Sequence, residues 1–341
     1  MYGLAILLTL YFTSIIISHV SSFFSQNLIT PKTLLSLFTQ KDINIKTKNH
    51  NINFLVLGTA GADHAGPDLA DTIIFVSLNT DTKKALLISI PRDLWVDSLK
   101  AKINTAYTYG EEKKPGGGFT LTKSSVKELL DVPIDYAVKI DFQGFVEAID
   151  ILGGVDIYVD RSFHDYNYPI PGKENDLCND DPEFKCRYEH LHFDKGLQHM
   201  NGENALKYVR SRNAQDEEGT DFARSVRQQK VILAAKEKLF TLDTLLNPDK
   251  IKQLVKTFDQ SIKTDIPQDQ IDDFIRLGLN LKDLEIETFT LDAGDEEKGK
   301  DGLLIIPDPA EYQGHWTLVP KTSWQDIQDR IKQRVEDLKS N

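Results

Sequence analysis

Arginine is unevenly distributed in this chain. Of its ten arginines, four fall between positions 210 and 227, within the run YVRSRNAQDEEGTDFARSVRQQK at 208–230. Clustered guanidiniums repel one another, and they persist where carboxylates or phosphates neutralise them. The planar fork of arginine suits bidentate contact with phosphate oxygens, so Arg210, Arg212, Arg224 and Arg227 are candidate phosphate ligands. Arg210 and Arg212 are two residues apart and point the same way only where the chain is extended. Asp221, Arg224, Arg227 and Gln228 recur at spacings of three and four, which predicts one shared helix face. The alternative is a structural network in which Asp216, Glu217, Glu218 and Asp221 neutralise these arginines.

Two other segments carry chemistry. Ser-Ile-Pro-Arg-Asp at 89–93 closes a buried run, and ligand sites of α/β sheets lie at such strand ends. Arg92 would add a phosphate contact there, and Asp93 would orient it or bind a cation. Asp71 opens an apolar run and is a candidate Mg²⁺ ligand, since Mg²⁺ is held by few carboxylates together with substrate phosphates. An ordinary aspartate at a strand edge is the competing reading. The glycine-containing loop from Gly58 to Pro67 lacks the Gly-Lys-Ser/Thr of an ATP-binding loop. No Gly-x-Ser-x-Gly occurs. His190, His192 and His199 match no standard zinc spacing, so they are expected to be structural or solvent-exposed.

Strands and helices must position these groups. Apolar runs predict strands at Asn53–Leu57, Thr72–Leu78, Ala85–Ile90, Ile134–Ile140, Val155–Val159, Leu284–Leu291 and Leu303–Ile306. Pro91 ends the third of these, so Arg92 and Asp93 leave its end. Helical spacing predicts helices at Thr122–Leu130, Phe142–Leu152, Asn201–Val209 and Ser323–Leu338, with amphipathic helices between Leu242 and Leu281. Asp221–Leu239 is a further helix, with Thr220 as its N-cap and Asp221 in its first turn. Lys102 and Asn104 fall in a loop that runs on to Gly116–Gly118, and 161–200 reads as irregular. Alternating strands and helices define an α/β class with a central sheet. No repeat or linker divides the soluble part.

The 341 residues are 40% hydrophobic and 27% charged, enough for a sizeable core, and exclude a disordered or multi-span protein. The net charge of −12 argues against nucleic acid as a partner. The first charged residue is Lys32, and Gly3–Val20 is an uncharged, largely apolar stretch of eighteen residues. That is about the minimum for a membrane-spanning helix. No basic segment precedes it, so an uncleaved anchor over residues 1–24 is expected rather than a signal peptide. A stalk follows over 25–50, then a soluble domain over 51–341. Cys178 and Cys186 lie in a polar loop, where a disulfide in an oxidising compartment and two free thiols are both open readings.

In order along the chain, NFLVLG (53–58), Asp71–Thr72, SIPRD (89–93), KINTAY (102–107), DYAVKIDFQGFVEAIDILGGVDIYV (135–159), NGENALKYVRSR (201–212) and DFARSVRQQK (221–230) resemble the LytR-CpsA-Psr family. The resemblance continues more weakly through TDIPQDQIDDF (264–274). It implies one transmembrane helix and an extracytoplasmic three-layer α/β/α domain with a central mixed sheet. The protein would be a single-pass cell-membrane phosphotransferase. It would move a glycopolymer from a polyprenyl pyrophosphate carrier onto peptidoglycan through a phosphodiester. Arg92, Lys102, Arg210, Arg212, Arg224, Arg227 and Gln228 would bind the pyrophosphate, Asp71 would hold Mg²⁺, and Asp93 or Asp221 would help deprotonate the acceptor. The alternatives are a polyprenyl pyrophosphate hydrolase and a non-catalytic envelope-binding or regulatory protein. Two positions depart from the family pattern. Thr59–Ala60–Gly61 lacks its usual aspartate, and Leu69–Ala70 stands where Arg-Ser is usual before Asp71–Thr72. Asp63, His64 and Asp68 are the nearby groups that could compensate.

Overall fold

Three consecutive apolar runs build the centre of the sheet. In the computed structural model, which describes residues 45, 50–61, 66–214, 216–245, 247–295 and 300–340, they form β1 (Asn51–Thr59), β2 (Ala70–Asn79) and β3 (Lys84–Ser89). These strands pair as an antiparallel meander. Next come short β4 (Trp95–Val96) and β5 (Ala101–Lys102), then helices α1 (Ala106–Lys113) and α2 (Gly118–Leu130). Strand β6 (Tyr136–Asp141) lies parallel to β1 and leads directly into α3 (Phe142–Ile151).

The chain then leaves the sheet for β7 (Val155–Val159), β8 (Phe163–Pro169), β9 (Tyr188–Phe193) and β10 (Gly196–Met200). It returns through α4 (Gly202–Arg210), α5 (Asp221–Leu239) and α6 (Pro248–Ser261) to the edge strand β11 (Ile262–Thr264). Helix α7 (Ile271–Asn280), strand β12 (Glu285–Thr290) and terminal helix α8 (Trp324–Asp337) follow. The central sheet is mixed, in the order β11-β6-β1-β2-β3-β12.

Residues on the two faces of the sheet alternate, as the pleat requires. Leu55, Leu57, Ile73, Phe75, Leu86 and Ile88 pack with α1, α2 and α8. Ile52, Ile74, Leu78 and Leu87 face α7, with Ile232 of α5 alongside. Burial on both faces explains why these strands read as continuous apolar runs. A separate cluster joins β7–β10 to α3, α4 and Val231 of α5.

The mixed α/β fold and central sheet agree with the sequence reading, and two stretches correct it. The loop expected around 102–118 contains α1. Its sequence, AYTYGEEK, is polar and carries little helical periodicity, and Tyr107 against Phe119 of α2 anchors it (centroids 5.2 Å apart). The stretch 161–200 holds the β8–β9 hairpin and β10, which pairs with β7, rather than irregular chain. Phe163, Asp165, Leu191 and Phe193 point inward there while charged and histidine residues point outward. A bulge between Asp165 and Tyr168 interrupts the alternation that would have betrayed it. Cys178 and Cys186 form a disulfide across the loop between β8 and β9. Among the described residues no helix is long and apolar enough to cross a membrane. The expected anchor and most of the stalk lie outside those residues.

Phe75 is completely buried at the centre of the sheet. Phe75→Ala should lower unfolding free energy by about 3–5 kcal/mol in urea titration. Leu177→Ala, at a site 69% exposed, should change it by less than about 0.5 kcal/mol.

Candidate active site at the sheet edge

Strands β1, β3 and β6 run one way and β2 runs against them. Their carboxyl ends and the start of β2 therefore share one edge. That edge brings Gly58, Asp71, Arg92 and Asp141 to a common cavity of about 250 Å³. Helices α3, α4 and α5 supply its other walls. Val56 and Ile74 are cross-strand partners, with Gly58 opposite Thr72 at the next outward pair of the same register. The lining is thus apolar deeper along the strands and polar at the edge. Phe145, Leu206, Val209, Val231 and Ile232 complete the apolar part. A Cβ at Gly58 would stand 3.0 Å from Thr72 Cβ, a contact tight enough that Thr72 would have to shift.

Four guanidiniums line this cavity, those of Arg92, Arg210, Arg212 and Arg224. Arg92 pairs with Asp71, and its Nε lies 3.5 Å from Asp93. Burial pulls Arg92 down, yet Asp71 and Asp93 hold its pKa above the ordinary value. Arg224 is only 8% exposed and lies 3.2 Å from Asp221. Burial pushes its pKa down; Asp221 opposes the shift, and Arg92 and Arg212 add to it by repulsion. Its buried Nε has no hydrogen-bond partner. Unpaired buried donors are costly, and this one adds to the cost of holding Arg224 in the cavity wall.

Arg210 and Arg212 have no carboxylate partner among the described residues. Arg210 ends α4, and Ser211 then leaves the helix, so both neighbours of Ser211 can reach the cavity. The Arg210 guanidinium lies 4.2 Å from the Phe142 ring and 5.7 Å from that of Tyr168, and it donates to Tyr168 Oη at 3.3 Å. Aromatic faces fix a cation without neutralising it. Gln228 lines the cavity and donates to Thr72 Oγ1 at 2.9 Å.

Arg227 goes elsewhere. It does not line the cavity and is 2% exposed. Its Nε donates to Tyr208 O at 2.9 Å, its Nη1 to Glu218 Oε2 at 2.7 Å, and its Nη2 to Ser211 O. The shared helix face therefore splits. With about 100° per residue, positions 224 and 228 lie about 40° apart while 227 turns away on the other side. The structural reading thus describes Arg227 with Glu218, whereas Glu217 pairs with Arg161. Thr220 caps α5 as expected, accepting from Ala223 N.

Asp93 and Lys102 stand behind Arg92 rather than in the cavity wall. Asp93 is 6% exposed and receives Lys102 Nζ at 2.8 Å. Asp221 is more open, its side chain 42% exposed. Asp68 pairs with Lys139, while Asp63 and His64 lie outside the described residues.

The sequence reading missed three residues. Asp141 lines the cavity, is the register partner of Thr59 and caps α3 by accepting from Gly144 N at 2.8 Å. An aspartate between a strand and a helix was its available signal. Tyr168 had none, being an aromatic in a stretch without regular pattern. Asp165 is fully buried, and its Oδ2 accepts from Ser211 Oγ at 2.7 Å and from the backbone N of Arg212 and Asn213, both at 3.2 Å. It therefore clamps the turn that presents Arg210 and Arg212. Nothing in the local sequence links position 165 to position 211.

The sequence pattern of the LytR_cpsA_psr family matches residues 25–313. The chain is 28% identical over 303 residues to the polyisoprenyl-teichoic acid–peptidoglycan teichoic acid transferase TagU of Bacillus cereus, covering 86% of this chain and 82% of that protein. Its fold is similar to that of Bacillus subtilis TagV, with TM-score 0.57 and 23% identity over 85% of this chain and 99% of that one. It is also similar to TagT bound to LIIa-WTA, with TM-score 0.56 and 24% identity over 86% and 94% of the two chains.

The two kinds of arginine separate by stability. Arg227→Ala should cost about 3–5 kcal/mol in chemical denaturation, because it strands the Glu218 carboxylate and three backbone carbonyls. Arg212→Ala should stay within about 0.5 kcal/mol of wild type. Asp165→Ala should fall between, at about 1–3 kcal/mol.

Proposed function

The chain belongs to the LytR_cpsA_psr family, and from that premise we propose that it is a phosphotransferase acting at the cell membrane. It would transfer a glycopolymer from a polyprenyl pyrophosphate carrier to peptidoglycan. One observation carries this reading: an apolar cavity ends in four guanidiniums, and two of them, Arg210 and Arg212, have no carboxylate partner among the described residues. A lipid pyrophosphate combines an apolar chain with a dense anion, which suits both parts of that lining. The transferase name of the B. cereus relative supports the same substrate class.

In the reaction, an acceptor hydroxyl attacks the phosphorus that bears the glycopolymer. A new P–O bond forms, the bridging P–O bond of the pyrophosphate breaks, and polyprenyl phosphate leaves. Phosphoryl transfer asks for positioning and charge stabilisation more than covalent participation. Arg92, Arg210, Arg212 and Arg224 would hold the phosphate oxygens, with Gln228 beside them. Asp221, the more open of the two proposed bases, would take the hydroxyl proton. Asp93 would instead orient Arg92, with Lys102 paired to its other oxygen.

Mg²⁺ fits the residues present. Asp71 and Asp141 both line the cavity, and Mg²⁺ needs only one or two carboxylates when phosphates supply other oxygens. Asp141, on the strand beside Thr59, offers a carboxylate near the position where the family pattern has one and this chain does not. The ion would neutralise charge on the transferring group. Residues 1–24 would anchor the chain, 25–50 would form the stalk, and the domain over 51–341 would work outside the membrane, within reach of peptidoglycan.

The test incubates the full chain with a polyprenyl-pyrophosphate-linked oligosaccharide and a peptidoglycan fragment, with and without Mg²⁺. Mass spectrometry should detect polyprenyl phosphate together with a phosphodiester-linked glycan. Arg210→Ala or Arg212→Ala should lower the rate by about 100-fold or more while leaving the fold intact. Cleavage without linkage would favour the hydrolase, and absence of binding would favour the non-catalytic reading.

A further inference from the structure

An open aromatic ring stands beside the polar end of the cavity. Trp316 is 46% exposed, whereas Trp95 is buried, with Tyr312 and His315 packed against it. The chain next to Trp316 is held firmly. Thr317 Oγ1 donates to Asp93 O at 2.6 Å, and Leu318 N donates to the same carbonyl at 3.0 Å. Trp95 N in turn donates to Leu318 O at 3.0 Å. One side of the Trp316 indole meets Lys102, whose Nζ lies 5.5 Å from the ring centroid. The same Nζ is 2.8 Å from Asp93 Oδ1, and Asp93 Oδ2 is 3.5 Å from Arg92 Nε. Short contacts in series therefore join an open ring to a guanidinium of the cavity. Single exposed hydrophobic residues are common. What sets Trp316 apart is its fastening to Asp93 and the ammonium beside its ring.

We propose that Trp316 and Lys102 form a subsite for a pyranose ring of the acceptor glycan, a proposal that rests on the phosphotransferase reading. A pyranose has an apolar face of C–H bonds and a rim of polar substituents. The indole would cover the face, as a large flat apolar surface does. Lys102 would donate to the rim. An ammonium has three donors, and among the described residues Lys102 spends one on Asp93 Oδ1.

The geometry of the transfer selects the acceptor rather than the donor for this place. Attacking and leaving oxygens lie roughly in line across the phosphorus. The leaving group carries the polyprenyl chain, which suits the apolar depth of the cavity. The attacking hydroxyl then approaches from outside the polar end, the side on which Trp316 stands. A sugar stacked on Trp316 would present its own hydroxyl, or that of its neighbour in the glycan, toward the arginines.

The experiment has two arms. Steady-state transfer by the full chain in detergent, from the lipid-linked donor to a soluble peptidoglycan tetrasaccharide, compares wild type with Trp316→Ala and Trp316→Phe. A contact made equally before and during the chemical step appears in KM, so Trp316→Ala should raise acceptor KM about tenfold at unchanged kcat and donor KM. Trp316→Phe keeps a flat ring and should recover most of the loss. Tyr158→Ala, at a comparably open aromatic on β7, should change neither constant. In the second arm, indole N–H NMR signals of the protein are followed as the tetrasaccharide is added without donor. The signal missing from Trp316→Phe identifies Trp316 among the three tryptophans, and it should move most. Unchanged acceptor KM in Trp316→Ala, or a Trp316 signal that does not move, would overturn the proposal. A rise confined to donor KM would also overturn it, because the ring would then serve the glycopolymer. If the wild type transfers nothing, the phosphotransferase reading fails, and the indole titration alone still decides whether a glycan binds at Trp316.

Discussion

Like charges brought together inside a protein repel, and this repulsion shapes the whole of the sheet edge. Arg92, Arg210, Arg212 and Arg224 converge there, and Arg224 is pressed by burial and by two of the others. Full neutralisation by carboxylates would relieve that repulsion and remove the positive charge proposed to hold phosphate. The fold adopts an intermediate arrangement. Asp71 and Asp93 hold Arg92, and Asp221 holds Arg224. Arg210 is fixed by aromatic rings instead, and Arg212 keeps its charge unpaired among the described residues. The excess positive charge sits where an apolar chain could also be accommodated.

Keeping charges uncompensated requires rigid support, and much of it comes from residues outside the cavity. Asp165 grips the turn after α4 by three hydrogen bonds to residues 211–213. Arg227 ties the same turn to α5 through Tyr208 O and Ser211 O, with Glu218 as its counter-charge. Gln229 donates to Ser89 Oγ at 2.9 Å and so fastens α5 to the end of β3, next to Arg92. The arginine-bearing segments are thereby linked to one another before any ligand arrives. Preorganised donors of this kind are effective because they need no rearrangement as charge develops.

The β8–β9 hairpin has a different task on each face. Its inner face buries Phe163, Phe193 and the Asp165 clamp, and its outer face displays the three histidines. The bulge before Tyr168 lets one short strand present both Asp165 and Tyr168 to the arginine turn. This division explains why the stretch looked irregular: its residues answer to two neighbours rather than to one periodic face.

The sequence by itself determined strands β1, β2, β3, β6, β7 and β12, the Thr220 cap of α5 and the presence of an arginine cluster. Those features rest on local properties: apolar runs, Thr220 before α5, Pro91 after β3, and guanidiniums too concentrated to be incidental. It also named Arg92, Arg210, Arg212, Arg224 and Gln228, all of which line one cavity. Tertiary structure alone decided which arginines face that cavity. Arg227 differs from Arg224 by less than one helical turn, and only the position of Tyr208, Ser211 and Glu218 turns it into a brace. Asp165 and Tyr168 were likewise illegible, because they act on residues 46 and 42 positions away. Sequence spacing reports the geometry of a single element, and these roles are set where separate elements meet.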